Sequence, residues 1–316
     1  MTGRVEESPA VNGGRKGTEA IWMRKFTIVG MGLIGGSMAQ ALKGFEDFSV
    51  TGMDISEATR EYAREHGIAD HVTGDASEAI KDADVVMLCQ YPQGIMDFMR
   101  EHRDEFKSGC LVTDVCGVKT AIMEAAQCLP EDVDFIGCHP MAGTEFSGID
   151  NSFPEMFEES HLILTPQEKN TEEHLELMEA LGRHIGCQDV VRTSPEDHDR
   201  ILAYTSQMMH IIALSVCDDE NLFTCKGYEG TSFRGCTRVA ALDVPLWTQL
   251  FSMNIPALTG CLDDLIAHLQ SYRETLVSGD REKLSAKLQV SSDRKRQVSL
   301  PGPDLLFDRA LEIHNQ

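Results

Sequence analysis

A glycine-rich turn near the start of the chain has the spacing of a dinucleotide-binding site. It follows an apolar run at 26–29 and opens a helical pattern. The first glycine permits a tight turn, the second lets a pyrophosphate approach the backbone, and the third lets the helix pack closely. The helix N-terminus offers free N–H groups to the phosphates. The predicted cofactor-binding residues of this turn are Gly30, Gly32, Leu33, Ile34 and Gly35.

An acidic residue follows this turn at the distance expected for a ribose contact. Asp54 comes directly after a second apolar run, at 49–53, and lies 19 residues beyond Gly35. A carboxylate there accepts hydrogen bonds from the ribose 2′- and 3′-hydroxyls and repels a 2′-phosphate. No arginine follows directly, since residues 55–57 are Ile, Ser and Glu. The sequence therefore predicts NAD rather than NADP as the cofactor.

A histidine at the end of an apolar run is the strongest candidate for acid–base chemistry. His139 begins the loop that follows the apolar run at 135–138. The segment at 113–119 lies in the same way at the end of the strand predicted to begin at residue 111. Ligands of open α/β sheets bind at the carboxyl ends of the strands. A neutral imidazole, with an ordinary pKa of ~6.5, can take a hydroxyl proton while a hydride leaves. We therefore expect His139 to act as the base of a dehydrogenase.

The elements that position these residues alternate between apolar runs and helical patterns. Helical patterns lie between most of the runs, at 57–66, 95–106, 118–129 and 171–185. Continuous apolar strands separated by helices predict an α/β fold, a Rossmann-type, doubly wound and mostly parallel sheet with helices on both faces. The predicted strands are at 26–30, 49–53, 84–89, 111–115, 135–138, 161–165 and 189–192.

The pattern becomes entirely helical after Ser194. This serine is a typical N-cap, with Pro195 at the first helical position and acidic residues after it. We expect a flexible tail at 1–22, an NAD-binding Rossmann domain at 23–193 and an all-α second domain at 194–316, whose last ~25 residues are loosely ordered. The predicted helices of the second domain are at 201–216, 238–241, 245–269 and 271–288.

Composition excludes several classes of partner. A formal net charge of −23 over 316 residues disfavours binding to nucleic acid or to an anionic membrane, and no apolar stretch approaches the ~20 residues of a membrane span. An anionic substrate would need a local cation. The ten cysteines occur singly, without zinc-type spacing, so we expect reduced thiols, no metal site and a cytoplasmic protein.

From about residue 24 to residue 288 the sequence resembles the prephenate/arogenate dehydrogenase family of tyrosine biosynthesis. The most specific segments are His-Pro-Met-Ala-Gly-Thr-Glu at 139–145, the stretch at 195–210, and Thr-Arg-Val-Ala at 237–240 with Trp247 nine residues after Arg238. The resemblance implies NAD-dependent oxidative decarboxylation of prephenate to 4-hydroxyphenylpyruvate. In that reaction a hydride leaves ring carbon C4, His139 accepts the hydroxyl proton, and carbon dioxide is lost.

The resemblance also implies which residues surround the substrate. Arg238 would bind a substrate carboxylate, which agrees with the bidentate pairing that a guanidinium forms. The family usually has a serine where this chain has Gly117, an aspartate where it has Gly235, and a histidine where it has Gln207. The implied substrate-binding residues are Arg238, His210, Gln207, Thr144, Glu145 and Trp247.

Three alternatives stay open on the sequence. Arogenate, which carries an ammonium in place of the side-chain keto group, is a second substrate candidate. A 3-hydroxyacid-type dehydrogenase of the same plan would generally use a lysine on the first interdomain helix, and none occurs in this helix before Cys217. A catalytically silent NAD-binding protein is disfavoured, because His139 and Arg238 are both present.

The apolar pattern at 247–269 has two interpretations: a core helix, or the interface of a homodimer formed through the helical domain. Because few residues follow position 288, we expect no regulatory domain there. Any inhibition by tyrosine would then act at the active site or at an unrelated site.

Overall fold

The computed structural model describes residues 24–144 and 146–298. The chain divides into two compact units, the first ending at Asn254 and the second beginning at Ile255. The predicted tail at 1–22, Glu145 and the chain after residue 298 lie outside the described residues. The domain boundary near Ser194 remains a prediction, because the helices that follow it belong to the same compact unit as the sheet.

The first unit is built on an eight-stranded sheet with the order β3-β2-β1-β4-β5-β6-β7-β8. All neighbouring strands are parallel except β6 and β7, which are antiparallel. The predicted α/β fold with a mostly parallel sheet is therefore confirmed. The strands are β1 (Arg24–Val29), β2 (Phe48–Met53), β3 (His71–Thr73), β4 (Val85–Leu88), β5 (Leu111–Asp114), β6 (Asp134–Pro140), β7 (His161–Thr165) and β8 (Asp189–Arg192).

Helices connect these strands and then continue beyond the sheet. Six of them lie within the strand region and four follow it in the same unit. They are α1 (Leu33–Ala41), α2 (Glu57–Glu65), α3 (Ala76–Ile80), α4 (Pro92–Glu101), α5 (Thr120–Ala125), α6 (Glu172–His184), α7 (Pro195–Leu202), α8 (Met208–Cys217), α9 (Thr231–Thr237) and α10 (Val244–Met253).

Alternation along the central strands divides the core into two apolar clusters. On β4, Val85 and Met87 belong to one cluster, whereas Val86 and Leu88 belong to the other. Successive side chains of a strand point to opposite faces, so the clusters lie on opposite sides of the sheet. Leu250 of α10 packs into the second cluster. The sheet is therefore covered on both faces, and α10 contributes to one of the two layers.

The continuous helical segment from α7 to α8 contains a wide turn. Its start is capped as predicted, because the Ser194 hydroxyl accepts a hydrogen bond from the Asp197 N–H at 3.1 Å. Ala203–Gln207 then forms a π-helical turn between α7 and α8. On a regular α-helix, the side chains of His198 and His210 would be rotated by roughly 120° from each other about the helix axis. The wider π-turn reduces that rotation, and such turns are frequent at functional sites.

The single helix predicted at 245–269 is wrong, because the chain breaks at Asn254. This residue ends α10 with φ −129° and ψ 29°, and α11 (Ile255–Val277) begins directly after it. Apolar spacing continues across the break, so the pattern alone could not show it. The buried Asn254 side chain instead donates hydrogen bonds to the Asp199 carbonyl and to Gln207 Oε1, both at 2.8 Å.

Up to residue 298, the second unit consists of α11 and α12 (Arg281–Gln297). The Tyr272 hydroxyl lies 2.8 Å from Ser291 Oγ, and the Lys287 ammonium lies over the Tyr272 ring. Within α11 only Leu258 and Thr275 are buried. Among the described helices, none combines the length and apolar character needed to cross a membrane.

Candidate active site

Two glycines of the turn between β1 and α1 have no room for a side chain. Gly30 has φ +92°, and a Cβ there would lie 2.9 Å from the Cys89 carbonyl oxygen. A Cβ on Gly35 would lie 1.9 Å from the Gly30 carbonyl oxygen. The left-handed backbone and the close approach of helix to strand therefore both require glycine.

Gly32, the second glycine of the motif, faces open space. A Cβ on Gly32 would meet no heavy atom within 4 Å, and no side chain caps the α1 N-terminus that follows it. Leu33 and Ile34 form the first turn of α1 and are half-buried. This end of the helix offers backbone N–H groups and the positive end of its dipole. The turn fits a pyrophosphate.

Asp54 lies beside the glycine turn, at the end of β2. Its carboxylate accepts hydrogen bonds from the Met31 N–H and the Ser56 N–H, both at 2.8 Å. Both oxygens keep lone pairs for a ribose. Arg60, which sequence inspection missed, donates from Nη1 to the Asp54 carbonyl at 2.6 Å and pairs with Glu57. Arg60 lies three residues after Glu57, outside the segment 55–57 in which the sequence offers no arginine for a 2′-phosphate.

His139 is near the end of β6 and forms a chain of hydrogen bonds with α7. Its Nδ1 lies 3.0 Å from His198 Nε2, and His198 Nδ1 lies 2.8 Å from Asp199 Oδ1. An ionised carboxylate only accepts, so His198 carries its proton on Nδ1 and presents a lone pair at Nε2. His139 must then donate from Nδ1. Neutral His139 therefore has an unprotonated Nε2.

Asp199 is anchored from two sides. Its carboxylate accepts hydrogen bonds from the backbone N–H groups of Lys119 and Thr120, at 2.7 and 2.9 Å, and from the His198 ring. Burial alone would raise the pKa of Asp199, but these hydrogen bonds lower it below its ordinary value. The carboxylate that orients His198 therefore stays ionised at neutral pH.

A buried ion pair lies next to the hydrogen-bonded residues His139, His198 and Asp199. The Lys119 ammonium pairs with Asp114, and both side chains are fully buried. Asp114 also accepts hydrogen bonds from the backbone N–H groups of Cys116 and Cys138, at 2.8 and 3.2 Å. The pair ties the loop after β5 to β6. A lone buried charge here would be costly, so each partner stabilises the other.

The surroundings of His139 keep its ring neutral. Burial lowers its pKa well below the ordinary value, and the neighbouring His198 and Lys119 lower it further, while Asp199 opposes them. A base that is free of its proton at neutral pH can accept one from a substrate hydroxyl. The electrostatics therefore suit the role predicted for His139.

Gly117 lies against the free edge of the His139 ring. A Cβ on Gly117 would lie 3.8 Å from His139 Nε2 and 3.5 Å from Leu250 Cδ2, both ordinary contacts. The space beside the basic nitrogen is therefore bounded by the backbone at Gly117 and by α10. A Cβ at residue 117 would therefore fit without displacing its neighbours.

His210, Trp247 and Arg238 form a second group on the helices that follow the sheet. The ring centroids of His210 and Trp247 are 3.6 Å apart. His210 Nδ1 lies 3.0 Å from the Ser206 carbonyl, so it donates and leaves Nε2 as an acceptor. Burial lowers the pKa of His210 and Arg238 lowers it further, while the bond to Ser206 opposes both effects. This group combines an aromatic wall, a neutral imidazole and a guanidinium.

Of two further residues predicted to bind substrate, one is buried and the other is exposed. Gln207 is buried, with Nε2 donating to the Leu250 carbonyl at 3.3 Å and Oε1 accepting from Asn254. Thr144 is exposed on the loop after β6, where its hydroxyl accepts from the Phe146 N–H at 3.3 Å. Their contacts with substrate remain predictions. Glu145 is outside the described residues.

Sequence inspection also missed His198, Asp199 and Asn254 as part of this site. His198 lies 59 residues after His139, so only the fold brings the two rings together. The adjacent His-Asp pair in the first turns of a capped helix was the one local signal. By itself such a pair is common on solvated helix faces.

Comparison with known proteins adds independent information. Residues 38–191 match the family model "Prephenate dehydrogenase, nucleotide-binding domain", and residues 194–290 match "Prephenate dehydrogenase, dimerization domain". The cyclohexadienyl dehydrogenase of Zymomonas mobilis is 32% identical over 286 residues, which cover 85% of this chain and 97% of the relative.

Two solved structures share the fold over most of their length. Prephenate dehydrogenase from A. aeolicus, in complex with hydroxyphenyl propionate and NAD+, is 26% identical with a TM-score of 0.78, covering 89% of this chain and 100% of that one. Synechocystis arogenate dehydrogenase is 28% identical with a TM-score of 0.73, covering 87% of this chain and 100% of that one.

Proposed function

Because the chain belongs to the prephenate dehydrogenase family of NAD-binding oxidoreductases, we propose that it converts prephenate to 4-hydroxyphenylpyruvate by oxidative decarboxylation. The observation that carries the proposal is the fixed orientation of His139. The bonds through His198 to Asp199 leave its Nε2 as a bare acceptor beside Gly117. A substrate hydroxyl at that nitrogen would lose its proton to His139.

The cofactor site is proposed at the glycine turn. Gly30, Gly32 and Gly35 would lie against the pyrophosphate, the first turn of α1 would donate to it, and Asp54 would accept from the adenosine ribose. When bound, NAD supplies the hydride acceptor for the ring carbon that bears the hydroxyl. The Asp54 carboxylate would repel a 2′-phosphate, which favours NAD over NADP.

The substrate carboxylates need a positive partner in a chain of net charge −23. We propose that Arg238 binds one of them, as a guanidinium fits a carboxylate in a bidentate pair. Trp247 and His210 would line the same pocket, and His210 offers Nε2 as an acceptor. The exposed Thr144, with Glu145 after it in the chain, is proposed at the pocket entrance.

Arogenate is the second candidate substrate. The resemblance to the Synechocystis arogenate dehydrogenase, at 28% identity, is the observation that favours it. The match of residues 194–290 to a dimerization domain supports a homodimer, formed through helices that follow Ser194. Neither family match supports a 3-hydroxyacid-type reaction, because both describe a prephenate dehydrogenase.

The proposal is tested by mixing the purified protein with prephenate or arogenate and with NAD or NADP. Reduced nicotinamide is followed by absorbance and the aromatic product by chromatography. We expect prephenate and NAD to give equal amounts of NADH and 4-hydroxyphenylpyruvate. Higher kcat/KM with arogenate would reassign the substrate, and equal kcat/KM with NADP would remove the role of Asp54. No reduced nicotinamide in any combination would overturn the proposal.

A further inference from the structure

The paired histidines carry an inference about where the reaction's proton goes. We propose that His198 takes over the proton accepted by His139, so that the positive charge comes to lie between His198 and Asp199. The inference rests on the proposed function for the source of that proton. His198 touches neither substrate nor cofactor in this scheme and acts through His139, as a positioning residue that also holds the proton.

The geometry suits a transfer of this kind. The distance of 3.0 Å between His139 Nδ1 and His198 Nε2 is that of a direct hydrogen bond. His198 is buried, with 3% of its surface exposed, whereas His139 is only part-buried and its free nitrogen faces Gly117. No water is needed between the two rings, and solvent has little access to the second one.

The charges around the two rings favour the proton on the inner one. His198 donates directly to the Asp199 carboxylate at 2.8 Å. Among the described residues no carboxylate bonds directly to the His139 ring, and the nearby Lys119 ammonium makes a positive charge on that ring less favourable. Lys119 itself is paired with Asp114. Asp199 of α7, Lys119 directly before α5 and Asp114 of β5 are thus the charged groups placed around the pair, and the buried thiols of Cys116 and Cys138 lie near Lys119 and Asp114.

The transfer conserves protons and is reversed after product leaves. The substrate hydroxyl gives its proton to His139 Nε2, and His139 Nδ1 gives its own proton to His198 Nε2. His139 ends neutral, with its hydrogen on Nε2 instead of Nδ1, and His198 ends as an imidazolium. Return of the proton by the reverse steps, after product leaves, delivers it through His139 Nε2 to the pocket and then to solvent.

A purely structural role for His198 makes a different prediction. If His198 only held the His139 tautomer, a proton added to the pair would stay on His139 as an imidazolium. The two outcomes differ in which ring nitrogens carry hydrogen. They can therefore be distinguished without turnover and without cofactor.

The deciding experiment is ¹⁵N NMR of the full protein labelled in its histidine rings, recorded during an acid titration. His198→Gln identifies the resonances. At high pH we expect both rings to be neutral with hydrogen on Nδ1. With the first proton bound, we expect an imidazolium at His198 and hydrogen on Nε2 of a neutral His139. A first imidazolium at His139, beside a neutral His198, would overturn the inference.

Kinetics provide a second, matched test. In His198→Gln the amide oxygen can still accept from His139 Nδ1 but cannot take up a proton. We expect kcat to fall about tenfold or more while KM for prephenate stays within about threefold. The dependence of the hydride step on the D₂O fraction should be curved in the wild type, because two protons move, and linear in the variant. The same curvature in both would contradict the transfer.

The control is His66→Gln, which changes an exposed histidine at the end of α2 and should leave both kcat and the curvature unchanged. If the wild type forms no NADH, the proposed function fails while the NMR titration still decides the protonation of the pair. The two failures are therefore distinguishable.

Discussion

At the scale of single residues, the central feature is that neighbouring side chains hold His139 neutral and in a fixed orientation. Burial and Lys119 disfavour its charged form, and the bonds through His198 to Asp199 fix its tautomer. A base prepared in this way needs no reorganisation before it accepts a proton.

The pH dependence of kcat/KM tests this environment. A proton on either ring of the pair places hydrogen on His139 Nε2, so in the wild type the loss of activity on acidification reports both rings. In His198→Gln only His139 can take up that proton, so activity is present above the pKa of His139 and is lost as the pH falls through it. Because burial and Lys119 lower that pKa below its ordinary value, the plateau of this variant should extend below pH 6.5. A titration of kcat/KM with prephenate and NAD gives the midpoint. A midpoint at or above 6.5 would contradict the described environment.

Candidate site residues at strand ends could be predicted from the sequence. Residues that join the site through partners distant in the sequence could not. Gly30, Asp54 and His139 each follow an apolar run, and the topology of a parallel sheet brings such positions together. His198 lies on a helix, where nothing local indicates its partner. Arg60 and Asn254 were missed for the same reason, since their partners are set by tertiary packing.

At the scale of elements, α10 lies beside Gly117 and His139 because it is fixed at several points. At its start, the Tyr91 hydroxyl donates to Asp243 at 2.6 Å, and the Gln93 N–H donates to Gln249 at 2.9 Å. The bond to Asp243 and burial raise the pKa of Tyr91 to about 12, so this hydroxyl keeps its proton at physiological pH. At its end, Asn254 bonds to Asp199 and Gln207.

Asn254→Ala tests the fixation of α10. The substitution removes both hydrogen bonds of the side chain and leaves buried oxygens of Asp199 and Gln207 without those donors. We expect a loss of roughly 1–3 kcal/mol in the free energy of unfolding, measured by denaturant titration, together with a lower kcat.

Asn221→Ala is the matched control, because Asn221 is exposed in a short 3₁₀ turn and its side chain is not part of this network. It should change the free energy of unfolding by less than about 0.5 kcal/mol. Equal stability of the two variants would show that the Asn254 contacts do not hold α10.

Most elements followed from periodicity, and the exceptions have physical reasons. β3 was missed because three residues, His71–Thr73, are too few for a strand pattern to be recognised. The break at Asn254 and the π-turn at Ala203–Gln207 both occur within continuous apolar spacing. Side-chain hydrogen bonds, rather than hydrophobicity, mark these two places.

At the scale of the whole molecule, the chain is strongly acidic and its proposed substrate is an anion. A net charge of −23 repels such a substrate at long range, so recognition has to come from a local cation. Arg238 is proposed for that task, whereas Lys119 is buried and paired with Asp114. Binding and proton transfer are therefore assigned to different residues, which can be changed separately.

The most direct test of the account is the comparison of His139→Asn with Arg238→Gln in the prephenate assay. Asparagine cannot accept the proton, so kcat should fall roughly 10²–10⁴-fold with the Kd for NAD nearly unchanged. Arg238→Gln should mainly raise KM for prephenate, because it removes binding rather than proton transfer. A His139→Asn variant that keeps kcat within about threefold of the wild type would contradict the account.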